Sequence, residues 1–358
     1  MIANRVRKLF QRAVTSLRAQ WMLSSVRRAL FRRETAVPFA DGYVMVREEH
    51  FRKLDDPERQ KKLFKRSVEM VEIEVFTYCN RKCWFCPNSE FDRRSNNIVM
   101  DEALYRKILK ELGDIDYSAK IFYSRYNEPF ADRVILERLR LAKSMLPNAR
   151  LCTFTNGDYL TPEYLEEIYS AGLREIYVSL YLGNKAKFND ERMRLRIERF
   201  VKKLGLEGSW SIERPGVEYH YRVIYRDMQF LVFGRNFDQI GYDRAGTVQL
   251  ANARNRTSPC YIPFTSVYID ANGCVVPCCN VRSDVPEHES FLVGDLNEDS
   301  IFDIYTKRLD EWRCELIRYG DKKEPCNMCL MHEEKMPDSP ENRDLGDRIH
   351  RKFVQRVG

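Results

Sequence analysis

Cys79, Cys83 and Cys86 stand in a C-x3-C-x2-C spacing on one short stretch, Tyr78 to Pro87. Thiolates are soft ligands that select soft metals and iron–sulfur clusters, and three on one loop can converge on a single small object. A tetrahedral zinc site normally takes four protein ligands. Here the next cysteine is Cys152 and the next histidine His220. A four-iron cubane with one iron left open suits three thiolates better, and the open iron can bind a small molecule. The alternative at this point is a structural zinc knuckle.

The loop needs an element to carry it. Met70 to Thr77 alternates apolar and polar residues at period two, which predicts a strand running straight into the first cysteine. From Val71 onward strand and helix patterns alternate. Helices are predicted over 101–112 (with Asp101 as N-cap), 133–145, 162–170 and 190–204. Strands are predicted over 119–123, 150–154 and 175–180, and further strands near 209–213, 219–225 and 229–233. Repeated strand–helix units imply a parallel sheet with right-handed crossovers. Functional residues in such sheets gather at the C-terminal strand ends, where the three cysteines fall.

A cluster loop after the first strand, with the aromatic Phe85 before the third cysteine, resembles the radical SAM superfamily. The resemblance implies a partial (β/α)6 TIM-type barrel, a [4Fe–4S] cluster on Cys79, Cys83 and Cys86, and S-adenosylmethionine chelated by the open iron. It extends to later strand ends. Ser124-Arg-Tyr-Asn-Glu-Pro-Phe130 is similar to the family's Gly-Glu-Pro segment: Glu128 and Pro129 match, and Asn127 replaces a glycine. Asparagine tolerates positive φ better than most residues. Thr155-Asn156-Gly157 is similar to the family's Thr-Asn-Gly turn, and Val178-Ser179-Leu180 to its Val-Ser-Leu run. Cofactor-binding residues implied this way are Phe85, Asn127, Glu128, Asn156 and Ser179. Arg222 and Arg226 are weaker candidates for an anionic group, with surface ion pairs as their ordinary fate.

Beyond Asp243 the sequence becomes turn-rich and dense in cysteine. Cys260 precedes an Asn-Gly hairpin signal ending in Cys278 and Cys279, a helix is predicted over 300–318, and Cys326-Asn-Met-Cys329 follows. Cys260, Cys278, Cys326 and Cys329 can supply four thiolates from distant segments, for zinc or for a cluster. The order and spacing resemble a shortened SPASM domain carrying one auxiliary [4Fe–4S] cluster. The resemblance covers roughly residues 70–332. Of the remaining cysteines, Cys152 and Cys314 read as core residues. Cys274 and Cys279 flank the hairpin, and Cys279 is a candidate hydrogen donor.

The expected organisation is a basic amphipathic extension (1–66), a radical SAM core (67–242), a SPASM-like domain (243–335) and a charged tail (336–358). Eleven cysteines in metal-type groupings point to a reducing, cytoplasmic setting. The net charge of +7 is concentrated in residues 1–34, where apolar residues recur at helical spacing. That segment reads either as a membrane-surface helix or as a helix packed on the core. Charge elsewhere is nearly balanced, so no nucleic-acid partner is expected.

The resemblance implies reductive cleavage of S-adenosylmethionine to a 5′-deoxyadenosyl radical that abstracts hydrogen from substrate carbon. An electron donor such as flavodoxin or ferredoxin would serve it. The favoured reaction is oxidation of an alcohol in a sugar- or aminocyclitol-type small molecule or glycan. A radical epimerase, a peptide-modifying enzyme and a metal-bearing binding protein are the alternatives.

Overall fold

The computed structural model describes residues 37–39, 44–183, 186–249, 254–333 and 336–355. The basic helix expected over residues 1–34 lies outside them. The described chain begins with a hairpin, β1 (Val37–Phe39) and β2 (Val44–Val46), paired antiparallel. Helix α1 (Pro57–Ser67) follows, its N-terminus capped by Asp56, which accepts from Arg59 N at 2.7 Å.

Alternating units then build the core: β3 (Met70–Ile73), α2 (Glu102–Asp114), β4 (Lys120–Phe122), α3 (Val134–Met145), β5 (Arg150–Thr155), α4 (Pro162–Ala171), β6 (Glu175–Leu180) and α5 (Asp190–Lys203). Each helix start reflects local chemistry. Asp101 caps α2 by accepting from Ala103 N and Leu104 N, and Thr161 caps α4 ahead of Pro162. The antiparallel strands β7 (Gly208–Arg214), β8 (Glu218–Tyr225) and β9 (Met228–Arg235) come next, then the one-turn helices α6 (Phe237–Ile240) and α7 (Ile262–Thr265). The chain continues through β10 (Ser266–Ile269), β11 (Cys274–Val276), β12 (Gly294–Asp295), α8 (Ile301–Lys307), α9 (Asp310–Leu316) and α10 (Pro340–Ile349).

Ten of these strands form one sheet in the order β12-β11-β10-β3-β4-β5-β6-β9-β8-β7. Neighbours from β10 to β9 are parallel, which gives six parallel strands of a partial barrel. The row takes β10 from the cysteine-rich region beside β3. The long hairpin β7–β8 is inserted before β9. Strand alternation sorts side chains by face. Val71, Ile73, Ile121, Ile176 and Val178 pack under the helices in the main core. Glu72, Phe122, Phe154, Tyr177 and Ser179 belong to the opposite face by that alternation. Phe122, Phe154 and Tyr177 stack in sequence across it, with centroids 5.3 and 4.8 Å apart, and Phe154 remains 42% exposed.

Two segments differ from expectation. The helix predicted over 300–318 divides at Arg308–Leu309 into α8 and α9. The break lets the fully buried Arg313 donate to the carbonyls of Pro263, Tyr305 and His50, a network no continuous helix would reach. The charged tail holds α10, capped by Ser339, and then one π-helical turn. Ile349 and Phe353 pack with Phe39, Val44, Val46, Phe51 and Phe264 in a second core. The sparse apolar positions of the tail thus close a cluster begun by the first hairpin.

Candidate active site

The cluster loop leaves the end of β3 and doubles back through Cys86 N to Cys83 O at 3.0 Å and Ser89 N to Cys86 O at 3.0 Å. All three thiols are half-buried. Burial, then the Cys86 charge, pushes the Cys83 thiol up to about 12, and burial pushes Cys79 up to about 11. The thiols therefore sense one another electrostatically. Three half-buried thiols on one short loop, close enough to act on one another, are a soft donor set that fits a cluster, and a cluster would deprotonate them on binding.

Glu128 sits at the end of the loop after β4, buried to 1% exposure. Oε1 accepts from Thr155 Oγ1 at 2.5 Å and Phe130 N at 3.2 Å, and Oε2 accepts from Asn156 N at 2.7 Å. Burial pushes its carboxyl up to about 7 against those three bonds. The residue thereby fastens the β5 turn to the β4 loop, and Oε2 keeps acceptor capacity. Asn127 Oδ1 accepts from Arg125 N at 3.1 Å, while its buried Nδ2 has no partner among the described residues. Asn156 Nδ2 donates to Asn80 Oδ1 in the cluster loop at 2.8 Å. Gly157 has φ +77°, and a Cβ there would meet Phe200 and Val178 below 3.0 Å. Ser179 is buried at the end of β6. Phe85 stacks on Phe237 at 3.6 Å and leans on Tyr181 at 5.0 Å. The structure thus gathers Phe85, Asn127, Glu128, Asn156 and Ser179 on loops and strand ends around one mouth. Arg226 pairs with Glu166 at the surface and stacks on Tyr169 and Tyr225, away from it. Arg222 lies on the β7–β8 hairpin.

Sequence reasoning missed a collar of arginines beneath this mouth. Arg93, Arg125, Arg244 and Arg282 all lie against the ring of Tyr126, at 6.0, 5.8, 5.9 and 4.8 Å. Arg93 Nη1 bonds Glu74 at 2.5 Å and Nη2 meets Asp284 at 2.9 Å. Arg125 Nε donates to Asp270 at 2.8 Å. Bonds from Arg282, together with the charges of Arg93 and Arg282, hold the Asp284 carboxyl down at about 2 although its burial opposes this. Glu74 Oε2, Arg125 Nη1 and Arg244 Nε are buried and unpartnered among the described residues. The available signal was Glu72 and Glu74 alternating inside an apolar strand, which places carboxylates on a face that must supply cations.

Tyr126 also links the two cysteine regions. Its hydroxyl donates to Cys279 O at 2.8 Å, and its carbonyl accepts from Asn88 Nδ2 at 2.7 Å. Cys260, Cys326 and Cys329 come together electrostatically, and Cys278 senses Cys326 and Cys329. Burial raises all of the shifted thiols. Arg256, 1% exposed, lies among them, donating from Nη1 to Cys329 O at 2.9 Å with Cys329 Sγ at 4.0 Å. Asn280 Nδ2 donates to Cys329 Sγ at 3.4 Å. A buried cation beside Cys260, Cys326 and Cys329 and an amide on Cys329 supply compensation of the kind that an anionic four-cysteine cluster needs. Cys279 is held near Met331, Sγ to Sδ 3.4 Å, and burial pushes its thiol up to about 12. Cys152 is buried in β5 near Glu175, Cys274 opens β11 and Cys314 lies on α9.

Glu72 faces the collar from β3. Burial pushes its carboxyl up to about 7, against Arg125 and a bond from Ser124 at 3.1 Å. A folded pKa above the unfolded value gives stability that is complete below pH ~4.5 and lost as pH rises through about 7. The thermal midpoint should therefore fall between pH 5 and 8, Glu128 adding to it in the same direction, and Glu72→Gln should reduce that fall. An unchanged pH profile in the variant would refute the assignment.

An α/β sheet bearing three thiols after its first parallel strand and a four-thiol region against its edge defines a cluster enzyme of the radical type. The sequence profile of the Radical SAM superfamily matches residues 73–206, and that of an iron–sulfur cluster-binding (SPASM) domain matches residues 260–330. The chain belongs to the radical SAM superfamily and carries a C-terminal SPASM domain. It is an S-adenosylmethionine-dependent oxidoreductase with a [4Fe–4S] cluster and an auxiliary cluster. It is 26% identical over 237 residues (66% of this chain, 81% of the relative) to an S-adenosyl-L-methionine-dependent 2-deoxy-scyllo-inosamine dehydrogenase of Niallia circulans. A GTP 3′,8-cyclase of Chlorobaculum tepidum is 28% identical over 142 residues, 39% of this chain and 41% of that one. The crystal structure of BtrN in complex with AdoMet and 2-DOIA shares the fold, with TM-score 0.51 and 24% identity over 70% of this chain and 87% of that one. No described helix is long and apolar enough to cross a membrane.

Proposed function

We propose that the enzyme oxidises a secondary alcohol of a sugar- or aminocyclitol-type small molecule or glycan to the ketone. The observation that carries this reading is Tyr126, whose carbonyl accepts from Asn88 beside the cluster loop and whose hydroxyl donates to the backbone carbonyl of Cys279, the residue after the candidate auxiliary ligand Cys278. When bound, the loop cluster and S-adenosylmethionine supply a radical that takes hydrogen from the carbinol carbon, leaving one electron for the auxiliary cluster and a proton for solvent.

The chain's own residues orient the partners. Cys79, Cys83 and Cys86 hold the first cluster, and Cys260, Cys278, Cys326 and Cys329 the second. Phe85, Asn127, Glu128, Asn156 and Ser179 form the S-adenosylmethionine side. The stacked Phe122, Phe154 and Tyr177 offer flat apolar faces to a ring substrate. A reductant protein such as flavodoxin or ferredoxin delivers the starting electron. The similarity to the Niallia circulans dehydrogenase supports the reaction type.

The test is anaerobic turnover of 2-deoxy-scyllo-inosamine and related polyols deuterated at the carbinol carbon. The expected result is one deuterium in each 5′-deoxyadenosine formed and an equal amount of ketone. Replacement of the carbinol deuterium by protium in an unoxidised product would show epimerisation instead, with Cys279 as the hydrogen donor.

A further inference from the structure

Helix α5 carries a basic stripe. Arg192, Arg196, Arg199 and Lys203 recur at i, i+4, i+7 and i+11, one face of the helix. On the same periodicity Asp190, Glu191 and Glu198 project elsewhere. Like charges at this spacing repel; among the described residues the carboxylate that acts on the stripe is Asp158, felt by Arg196 beyond ion-pair distance. Burial and the nearby Arg81 charge lower the Arg196 pKa.

The four cations line a cavity of about 430 Å³. Leu180, Leu195 and Phe200 give it an apolar floor, and the Asn156–Asp158 turn forms its end. Asp158 is engaged already: Arg81 Nε donates to it at 2.7 Å and Asn80 Nδ2 at 2.8 Å. A solvated basic face needs neither a cavity nor a floor, yet Leu195 stays 41% exposed here. Leu180 packs on the helix side of β6, while Ser179 falls on the other side, so the groove lies on the helix side of the sheet and meets the cofactor side only at Asn156.

We propose that this groove binds an organic polyanion, a phosphate ester or diphosphate whose nonpolar body lies on the leucine floor. Guanidinium forks match phosphate oxygens in pairs. A stripe spanning eleven residues of helix is about 16 Å long, room for more than one acidic group. The groove ends at Asn156, so a ligand anchored by its phosphates leads toward the strand ends. Use of the anchor as a substrate handle rests on the oxidation reading, but the binding does not.

Reconstituted full-length enzyme should be titrated calorimetrically with uridine diphosphate and with inorganic pyrophosphate, at low and moderate salt. The expected result is saturable binding of one ligand per chain, tighter for uridine diphosphate. It should weaken at least about tenfold in Arg196→Glu and in Arg199→Glu but persist in Arg140→Glu, a matched charge change on α3. Melting midpoints establish that each variant is folded. No binding by the wild type, or equal loss in Arg140→Glu, would overturn the site. Failure of the oxidation reading would appear separately, as turnover without ketone, and would leave these titrations interpretable.

Discussion

Replacing Cys79, Cys83 and Cys86 together by alanine is expected to abolish 5′-deoxyadenosine formation, a loss of at least about a thousandfold, because the cluster whose open iron holds S-adenosylmethionine would lose all of its protein ligands. The fold should survive. The loop's thiols are half-buried and sit outside the main core, which is built from β3 to β6 and their helices. The check is chromatographic quantification of 5′-deoxyadenosine after reduction, alongside a melting curve. Cleavage retained in the triple variant would mean that another site holds the cofactor.

The second large effect concerns the other cluster. In Cys326→Ser combined with Cys329→Ser, ketone formation should fall by at least about a hundredfold while S-adenosylmethionine is still cleaved. Substrate oxidation needs somewhere for the second electron, and these thiols lie beside the buried Arg256, with Asn280 on Cys329. The readout is the ratio of ketone to 5′-deoxyadenosine, expected near one in the wild type and near zero in the variant. A ratio unchanged by the substitution would make the auxiliary site structural.

The cluster loop was legible because its chemistry is local: thiol spacing, a strand before it and a short turn need no knowledge of the rest of the fold. The strand–helix alternation was legible for a similar reason, since period two and period 3.6 are written in each segment separately. The candidate cofactor residues came from the resemblance to the family's motifs, which fall at strand ends. The arginine collar was not legible. Arg93, Arg125, Arg244 and Arg282 come from four separate segments, and only the folded sheet brings them to one tyrosine ring. Nothing local marks Arg256 as buried, because its burial depends on Cys329 arriving from far along the chain. The division of the 300–318 helix escaped notice too: residues on both sides of Leu309 favour helix, and the burial of Arg313 decides the break. Ile349 and Phe353 carried too little apolar pattern to reveal that the tail completes the second core.

The most direct test of two clusters in one electron path is the iron and sulfide content of anaerobically reconstituted protein, with zinc measured in the same samples. Two four-iron clusters predict roughly eight irons per chain, falling to about four in the triple variant of the loop. About four irons in the wild type, lost in that variant while one zinc is retained, would contradict the account: the SPASM thiols would then hold a structural ion and could not accept the substrate's electron.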